Sequence, residues 1–355
     1  MTRALFMVNG LGLGNSTRCY AIIQELTRRG VTVEIVTSGN GTWFFKDKPE
    51  VGRIDEIPAL QYGKKDGRIS MARTLGAVGK MVNSLRAAEQ VVATAIERFR
   101  PDFVVADSSY SFRPVKRAGV PLAALNNSDM VVRGIRNLGN RPRSVLPQYT
   151  FVEFPDYLYH GRVPDLVVSP RLDPNDRAQS GRFRAVGPIV RHDCVPTPIS
   201  DQPPSRVVIM LSGSAFGSQV NMAREFPGIT IDVMGRDGNL PGVNFHGRVR
   251  DSLPLLRQAD LVVVNGGFSA VSEAVFLRKP TIVIPVPRHA EQWANGRTVE
   301  VLNLGLSADE DDLEGAIATG LANIEKYRAG YRALPVVRNG AEEAADLLLN
   351  FGRHR

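Results

Sequence analysis

The sequence is poor in the residues that build disulfide frameworks and zinc sites. Its 355 residues include only two cysteines, Cys19 and Cys194, and only five histidines. Two cysteines in no close motif exclude a disulfide-rich fold and a zinc finger, and they are typical of a reducing compartment. Apolar runs long enough to span a membrane are also lacking, as is a signal-peptide pattern at the N-terminus. We therefore expect a cytoplasmic protein.

Charge is in modest excess of one sign. The 44 Lys and Arg against 36 Asp and Glu give a net charge of +8. That excess suits an anionic nucleotide, and the sequence carries none of the motifs that would indicate a nucleic-acid partner. A second interpretation is weak peripheral contact with an anionic membrane surface rather than an ordinary solvated helix face. The basic residues concerned lie near a helix predicted over 68–98: Lys64, Lys65, Arg68, Arg73, Lys80 and Arg86.

The most informative stretch begins with the apolar run Leu261–Val264, which is typical of a strand buried on both faces of a parallel sheet. Gly266 and Gly267 follow and allow a tight turn. Ser269 is predicted to be the N-cap of a helix that ends near Leu277. Free N–H groups at such a helix start bind anions, so a phosphate or diphosphate is expected there.

Polar side chains surround this predicted anion site. Glu273 lies about one turn into the helix, where its carboxylate would accept hydrogen bonds from ribose hydroxyls. His289, Glu291 and Gln292 follow the next predicted strand, Pro280–Ile284, and all three can bind polyols. A diphosphate site beside a polyol site indicates a nucleotide-sugar ligand.

A second glycine-rich turn opens the chain. Gly10-Leu-Gly-Leu-Gly14 joins a predicted strand to a helix, and a further strand ends at Thr37. An NAD-dependent oxidoreductase would show Gly-x-Gly-x-x-Gly and an acid after the second strand. The spacing here is Gly-x-Gly-x-Gly, and Ser38 and Gly39 follow the strand. Both differences count against that alternative.

Two polar clusters end predicted strands of the first half. Asp107 follows a strand over 102–106, and Asn126 and Asp129 follow a strand over 120–125. Because the carboxyl ends of parallel strands open onto the ligand crevice, these residues would face an acceptor. Asp107 is the predicted general base, and Asp129 is the reserve candidate. Alternatively, each caps a loop or a helix.

Residues 265–274, together with Pro-x-x-x-x-Pro and Glu291-Gln-x-x-Asn, resemble the donor signature of GT-B glycosyltransferases. The resemblance is to the branch that contains the lipid II N-acetylglucosaminyltransferase and the related UDP-glycosyltransferases. It implies an α/β fold with two Rossmann-like domains that face each other across a cleft. The implied division is an acceptor domain (1–192), a proline-rich linker (193–205), a donor domain (206–335) and a final helix (336–355) that packs on the first domain.

The resemblance also assigns roles to residues. Asn15 stands where the family commonly has histidine; asparagine can bind a phosphate or acceptor but cannot be a base. Gly12 and Gly14 would face the acceptor. The residues expected to bind the donor are Ser212, Gly213, Ser214, Arg248, Val249, Gly266, Gly267, Phe268, Ser269, Ala270, Glu273, His289, Glu291 and Gln292.

The implied activity is transfer of a sugar from a nucleotide-diphosphate donor, with UDP expected, to a small-molecule or lipid-linked hydroxyl. Backbone amides and a helix dipole would supply the positive potential, so no metal ion and no cofactor besides the nucleotide-sugar co-substrate is expected. A nucleotide-sugar hydrolase or epimerase and a catalytically silent nucleotide-binding module remain alternatives. The oligomeric state is left open.

Overall fold

The computed structural model describes residues 1–10, 12–58, 64–65, 68–69, 78–211, 225–249 and 251–353. Ser212, Gly213 and Ser214, the predicted second phosphate turn, lie outside these ranges. Within them, every helix is too short or too polar to cross a lipid bilayer.

The first half of the chain forms a seven-stranded parallel sheet in the order β3-β2-β1-β6-β7-β8-β9. The strands, with the separate hairpin β4-β5, are β1 Arg3–Val8, β2 Thr32–Thr37, β3 Ile54–Glu56, β4 Lys64–Lys65, β5 Arg68–Ile69, β6 Phe103–Asp107, β7 Leu122–Leu125, β8 Leu166–Pro170 and β9 Phe183–Val186. The helices are α1 Leu13–Arg28, α2 Asn40–Phe45, α3 Val78–Phe99, α4 Arg113–Arg117, α5 Ser128–Asn137, α6 Leu146–Gln148 and α7 Phe154–His160. A 3-10 turn, Arg143–Val145, precedes α6, and a π-helical turn, Tyr149–Glu153, joins α6 to α7.

The second half forms a six-stranded parallel sheet in the order β12-β11-β10-β13-β14-β15. Its strands are β10 Arg206–Met210, β11 Thr230–Met234, β12 Val243–Phe245, β13 Leu261–Asn265, β14 Thr281–Ile284 and β15 Gly305–Ser307. Its helices are α8 Leu253–Gln258, α9 Phe268–Phe276, α10 Ala290–Val301, α11 Leu313–Ala322 and α12 Ile324–Ala333, with a 3-10 turn at Glu310–Asp312.

The order of the strands places the predicted site. In each sheet the order in which strands are added reverses beside the first strand. β1 lies between β2 and β6, and β10 lies between β11 and β13. Such switch points open a crevice at the carboxyl ends of the strands. The first glycine turn follows β1, and the turn at Gly266 and Gly267 follows β13. All five residues of β13 are buried, as its apolar run predicts for a parallel sheet.

The last helix, α13 (Gly340–Arg353), packs on the first half of the chain, as predicted. Ala344 and Leu348 are fully buried in the core that β1 and α1 also form. At its start, the Glu343 carboxylate accepts a hydrogen bond from the Gly187 backbone N–H at 2.6 Å. Along its exposed side, Asp346 pairs with Arg29 at 2.7 Å. The C-terminal helix therefore belongs structurally to the first half of the chain, although it follows the second half in sequence.

The structure also departs from the sequence expectations. Arg68–Ile69, the first residues of the helix predicted over 68–98, form strand β5 instead, whereas Val78–Phe99 is helical as predicted and residues 70–77 lie outside the described ranges. The sequence did not predict the edge strand β15, nor did it predict the helical segment over 143–160. That segment mixes 3-10, α and π turns, so its apolar residues do not repeat with a single helical period.

Leu348→Ala should lower the free energy of unfolding by about 2–5 kcal/mol, because it leaves a cavity in a fully buried site. Urea unfolding would measure the change. Leu347→Ala is the matched control, since Leu347 is only partly buried against the same core and should cost clearly less. Equal losses in the two variants would contradict the packing of α13 described above.

Candidate active site

The two glycine turns meet across the space between the sheets. Gly267 is the N-cap of α9, with extended backbone angles, and an added Cβ there would meet no atom within 4 Å. Ser269 Oγ donates a hydrogen bond to the Gly14 carbonyl at 3.1 Å. The prediction that Ser269 is the N-cap is therefore wrong, because its hydroxyl reaches the other half of the chain. The start of α9 opens toward the first glycine turn.

Gly266 has a different environment from its neighbour. A Cβ at Gly266 would lie 2.6 Å from Gln292 Cβ and 3.1 Å from the Gln292 backbone, so α10 passes directly over this glycine. The buried Asn295 side chain donates to the Gly266 carbonyl at 2.8 Å. Gln292 in turn accepts from the Val286 backbone N–H at 2.9 Å. The polar residues of α10 thus fix the shape of the turn.

The first half also contacts α10 directly. Asn127 Nδ2 donates to Glu291 Oε1 at 2.9 Å, although the two residues are 164 positions apart. The Gln148 side-chain oxygen accepts from the backbone N–H of Ala290, the first residue of α10, at 2.9 Å. These two contacts place the predicted sugar-binding residues of the second half against the wall of the first.

A small titratable group lies at this junction. One carboxylate oxygen of Glu153, one of Glu291 and one ring nitrogen of His289 all lie within 4.8 Å of one another. The Glu153 carboxylate also accepts from Gln148 Nε2 at 2.6 Å. Burial, and secondly the neighbouring Glu291 carboxylate, raises the pKa of Glu153 to about 8. His289 Nδ1 is buried and has no hydrogen-bond partner among the described residues.

Glu273, the predicted ribose ligand, is nearly fully buried and pairs with an arginine that follows the first sheet. Arg191 Nε donates to Glu273 Oε1 at 2.8 Å, and Arg191 Nη2 donates to Oε2 at 3.2 Å. Asp251 and Ser252 accept from the same guanidinium. Burial opposes the charge of Arg191, but the Glu273 carboxylate holds its pKa above the usual value.

Asp107, the predicted base, is fully buried at the end of β6. Arg18 Nε donates to its Oδ2 at 2.5 Å, and Arg18 Nη2 donates to its Oδ1. Cys19 and Ser108 also donate to this carboxylate. The role of Asp107 as base stays a prediction, and a carboxylate held by a bidentate arginine is poorly placed to take a proton. Asn15 is half-buried on α1, about one helical turn before Arg18.

The predicted acceptor residues Asn126 and Asp129 are also engaged within the first half. Asn126 Nδ2 donates to Asp156 Oδ2 at 2.7 Å. Asp129 is buried and pairs with Arg171 at 2.5 Å, while Ser169 Oγ donates to it at 2.6 Å. Both residues are paired within the first half, and their direct contact with an acceptor stays a prediction. Gly12 is exposed and open at the same edge.

The predicted base-binding stretch contacts the first half through an aromatic ring. The Arg248 guanidinium lies over the Trp43 ring, 4.7 Å from its centroid. Val249 packs beside the second core, Phe268 is buried within it, and Ala270 is half-buried against it. Three of the four residues therefore pack on the core of the second half, and their contact with a donor stays a prediction.

In the group of Glu153, His289 and Glu291, one oxygen of each carboxylate accepts a hydrogen bond from a side-chain amide, that of Gln148 and that of Asn127. The acidic triplet Asp309-Glu310-Asp311 lies elsewhere, after the edge strand β15, with both aspartates exposed. That transfer needs no metal ion stays a prediction.

The family profile of glycosyl transferase family 1 matches residues 2–141 and 227–324, which is more than half of the chain. The chain belongs to glycosyl transferase family 1. The predicted family resemblance is thereby confirmed, and the protein is a glycosyltransferase.

Curated relatives agree with this assignment. An uncharacterized glycosyltransferase of Methanosarcina acetivorans is 23% identical over 84% of this chain and 83% of its own. A UDP-N-acetylglucosamine--N-acetylmuramyl-(pentapeptide) pyrophosphoryl-undecaprenol N-acetylglucosamine transferase of Nocardioides sp. is 24% identical over 98% of both chains.

Solved structures show the same fold. MurG of Acinetobacter baumannii has a TM-score of 0.64 at 15% identity, over 99% of this chain and 100% of its own. LpCGTa in complex with UDP has a TM-score of 0.68 at 15% identity, over 100% of both chains. The calicheamicin glycosyltransferase CalG4 has a TM-score of 0.64 at 19% identity, over 99% of both. The predicted GT-B fold is confirmed.

Four residues of the candidate site were not predicted from the sequence: Arg18, Asn127, Glu153 and Arg191. Arg18 lies on a helix, where an arginine is usually a surface residue. Asn127 belongs to the Asn126-Asn-Ser-Asp129 cluster, so its position after a strand was a usable signal. Glu153 and Arg191 gave none, because their partners are distant in sequence.

Gly266→Ala should lower the free energy of unfolding by about 1–3 kcal/mol, because the new methyl group would overlap Gln292 and displace α10. Gly267→Ala is the matched control and should leave stability within about 1 kcal/mol of wild type, since its site is open and its backbone angles suit alanine. Chemical denaturation measures both. A more costly Gly267→Ala would contradict the environment assigned to the turn.

Proposed function

We propose that this glycosyltransferase moves a sugar from a nucleoside-diphosphate donor, with uridine as the expected base, to a hydroxyl acceptor. The open helix start at Gly267, which faces the first glycine turn at Gly14, supports this function most directly. Free N–H groups at the start of a nine-residue helix attract a diphosphate. LpCGTa, which shares the fold, was solved with UDP.

In this proposal the backbone N–H groups at the start of α9 stabilise the negative charge that develops on the leaving diphosphate. Negative charge builds on the diphosphate as its bond to the sugar C1 weakens. Fixed N–H dipoles in a cleft of low dielectric stabilise that charge without reorganising. The same amides would replace the metal ion that other sugar transferases use, so the proposed transfer is metal-independent.

The donor sugar and ribose are assigned to the polar residues of the second half. Glu291 and Gln292 would bind the sugar hydroxyls, with His289 beside them. Glu273 would accept from the ribose while still paired with Arg191, because an ionised carboxylate has about four lone-pair sites. Backbone groups around Arg248 and Val249 would pair with the uracil edge.

The acceptor is assigned to the first half, residues 1–192, and the donor to residues 206–335. Apolar side chains at Phe151 and Val152 are 70% and 47% exposed, and they directly precede Glu153 in the chain. Exposed apolar groups beside a site suit an acceptor with an apolar body. The names of the Nocardioides relative and of CalG4 indicate a lipid-linked and a small-molecule substrate respectively, so both classes belong in the acceptor panel.

The purified protein should release UDP from a UDP-sugar only when an acceptor is present, and EDTA should not change the rate. Coupled detection of UDP, with a panel of UDP-, dTDP- and GDP-sugars and of lipid-linked and aromatic hydroxyl acceptors, measures both. Equal release without acceptor would indicate a hydrolase instead. Loss of activity in EDTA, restored by a divalent cation, would contradict metal independence.

Gly267→Ala should weaken UDP binding about tenfold or more, a loss of at least about 1.4 kcal/mol, because its methyl group would fill the space assigned to the diphosphate. Isothermal titration with UDP measures the dissociation constant, and uridine serves as the ligand control. Uridine lacks the diphosphate, so its affinity should change little. Unchanged UDP affinity would remove the helix start from the donor site.

A further inference from the structure

The residues predicted from sequence are poorly placed to act as the base of the transfer reaction. Asn15 cannot accept a proton, because a side-chain amide is not basic near neutral pH. Both carboxylate oxygens of Asp107 bind Arg18, and Asp129 is held in the same way by Arg171. A carboxylate without an arginine partner would accept a proton from a hydroxyl nucleophile more readily than either of them.

Glu153 is a carboxylate of the first half that reaches the junction with α10. One of its oxygens accepts from Gln148, and the other receives no hydrogen bond from the described residues. A Glu153 carboxylate oxygen lies within 4.8 Å of a His289 ring nitrogen and of a Glu291 carboxylate oxygen. His289 and Glu291 are the residues assigned to the donor sugar. The π-helical turn that ends at Glu153 presents the side chain, and such turns often occur at functional sites.

We propose that Glu153 is the base that takes the proton from the acceptor hydroxyl; this inference rests on the transferase function proposed above. The acceptor O–H bond breaks, its proton passes to the Glu153 carboxylate, and the oxygen electron pair forms the bond to the sugar C1. The bond between C1 and the diphosphate oxygen breaks, and its electron pair leaves on the diphosphate. This single displacement inverts the configuration at C1. Glu153 then gives the proton to water.

Gln148 is a positioning residue for this base. Its N–H donates to Glu153 at 2.6 Å, and its oxygen accepts from the Ala290 backbone N–H at 2.9 Å. Ala290 is the first residue of α10, which also carries Glu291. One amide therefore ties the base to the helix that would hold the donor sugar.

The charges around Glu153 suit a base that works near neutral pH. Glu291 and His289 face it from the second half, Asp156 faces it from its own segment, and Arg18 interacts with Glu291. Burial and Glu291 raise the pKa of Glu153 to about 8. A general base is most effective when its pKa lies near the working pH. Since only the ionised carboxylate accepts a proton, the rate rises as pH rises through that value.

Glu153→Gln should lower kcat about 100- to 10,000-fold and abolish the rise of the rate between pH 6 and 9. Its donor KM and UDP affinity should stay near wild type. Glu291→Gln should move the inflection of the wild-type profile to lower pH, because it removes a charge that raises the pKa of Glu153. Glu97→Gln, on the exposed side of α3, is the control and should leave the profile unchanged.

Steady-state kinetics of UDP release over this pH range, with the anomeric configuration of the product by NMR, separates the outcomes. A Glu153→Gln variant with the wild-type profile, an unmoved inflection in Glu291→Gln, or a product with retained configuration would overturn the role of Glu153 alone. If the wild-type protein releases no nucleoside diphosphate with any donor and acceptor, the proposed function fails and the role of Glu153 fails with it.

Discussion

The site depends on two parallel sheets whose carboxyl ends open toward each other. Several hydrogen bonds join the two halves there, among them the bond from the Ser269 hydroxyl to the Gly14 carbonyl and the bond from Asn127 to Glu291. Parallel strands collect the loops that follow them at one edge, so each half contributes a glycine turn and a set of polar side chains to the same cleft. The final helix, α13, packs into the core of the first half, so the C-terminal end of the chain contacts its N-terminal elements β1 and α1.

Arginine–carboxylate pairs fix the walls of the cleft. Arg18 holds Asp107, Arg171 holds Asp129, and Arg191 holds Glu273. Buried pairs of this kind are weak sources of net stability, because desolvation offsets much of the attraction, but losing one partner leaves a costly buried charge. They therefore set positions more than they stabilise the fold. Glu153 differs from these three carboxylates because its described hydrogen-bond partner is a neutral amide.

Much of the fold follows from local sequence patterns. The apolar runs around β1, β13 and β14 predicted buried parallel strands, and Gly266 with Gly267 predicted the turn before α9, because strand burial and glycine turns are local properties. Side-chain pairings are not local. Arg18 and Asp107 are 89 residues apart, and Asn127 and Glu291 are 164 apart, so no spacing in the chain indicates them. The proposed base, Glu153, lies in a segment of 3-10, α and π turns. Because such a segment has no single helical period, its sequence pattern did not predict a helix.

The proposed transfer requires that α9 bind the diphosphate of the donor at its start. A crystal structure of the protein with UDP would show this contact. We expect diphosphate oxygens within hydrogen-bond distance of the backbone N–H groups that follow Gly267, with the uracil near Val249. A diphosphate bound at the Gly12–Gly14 turn instead, or UDP bound outside the cleft, would contradict it.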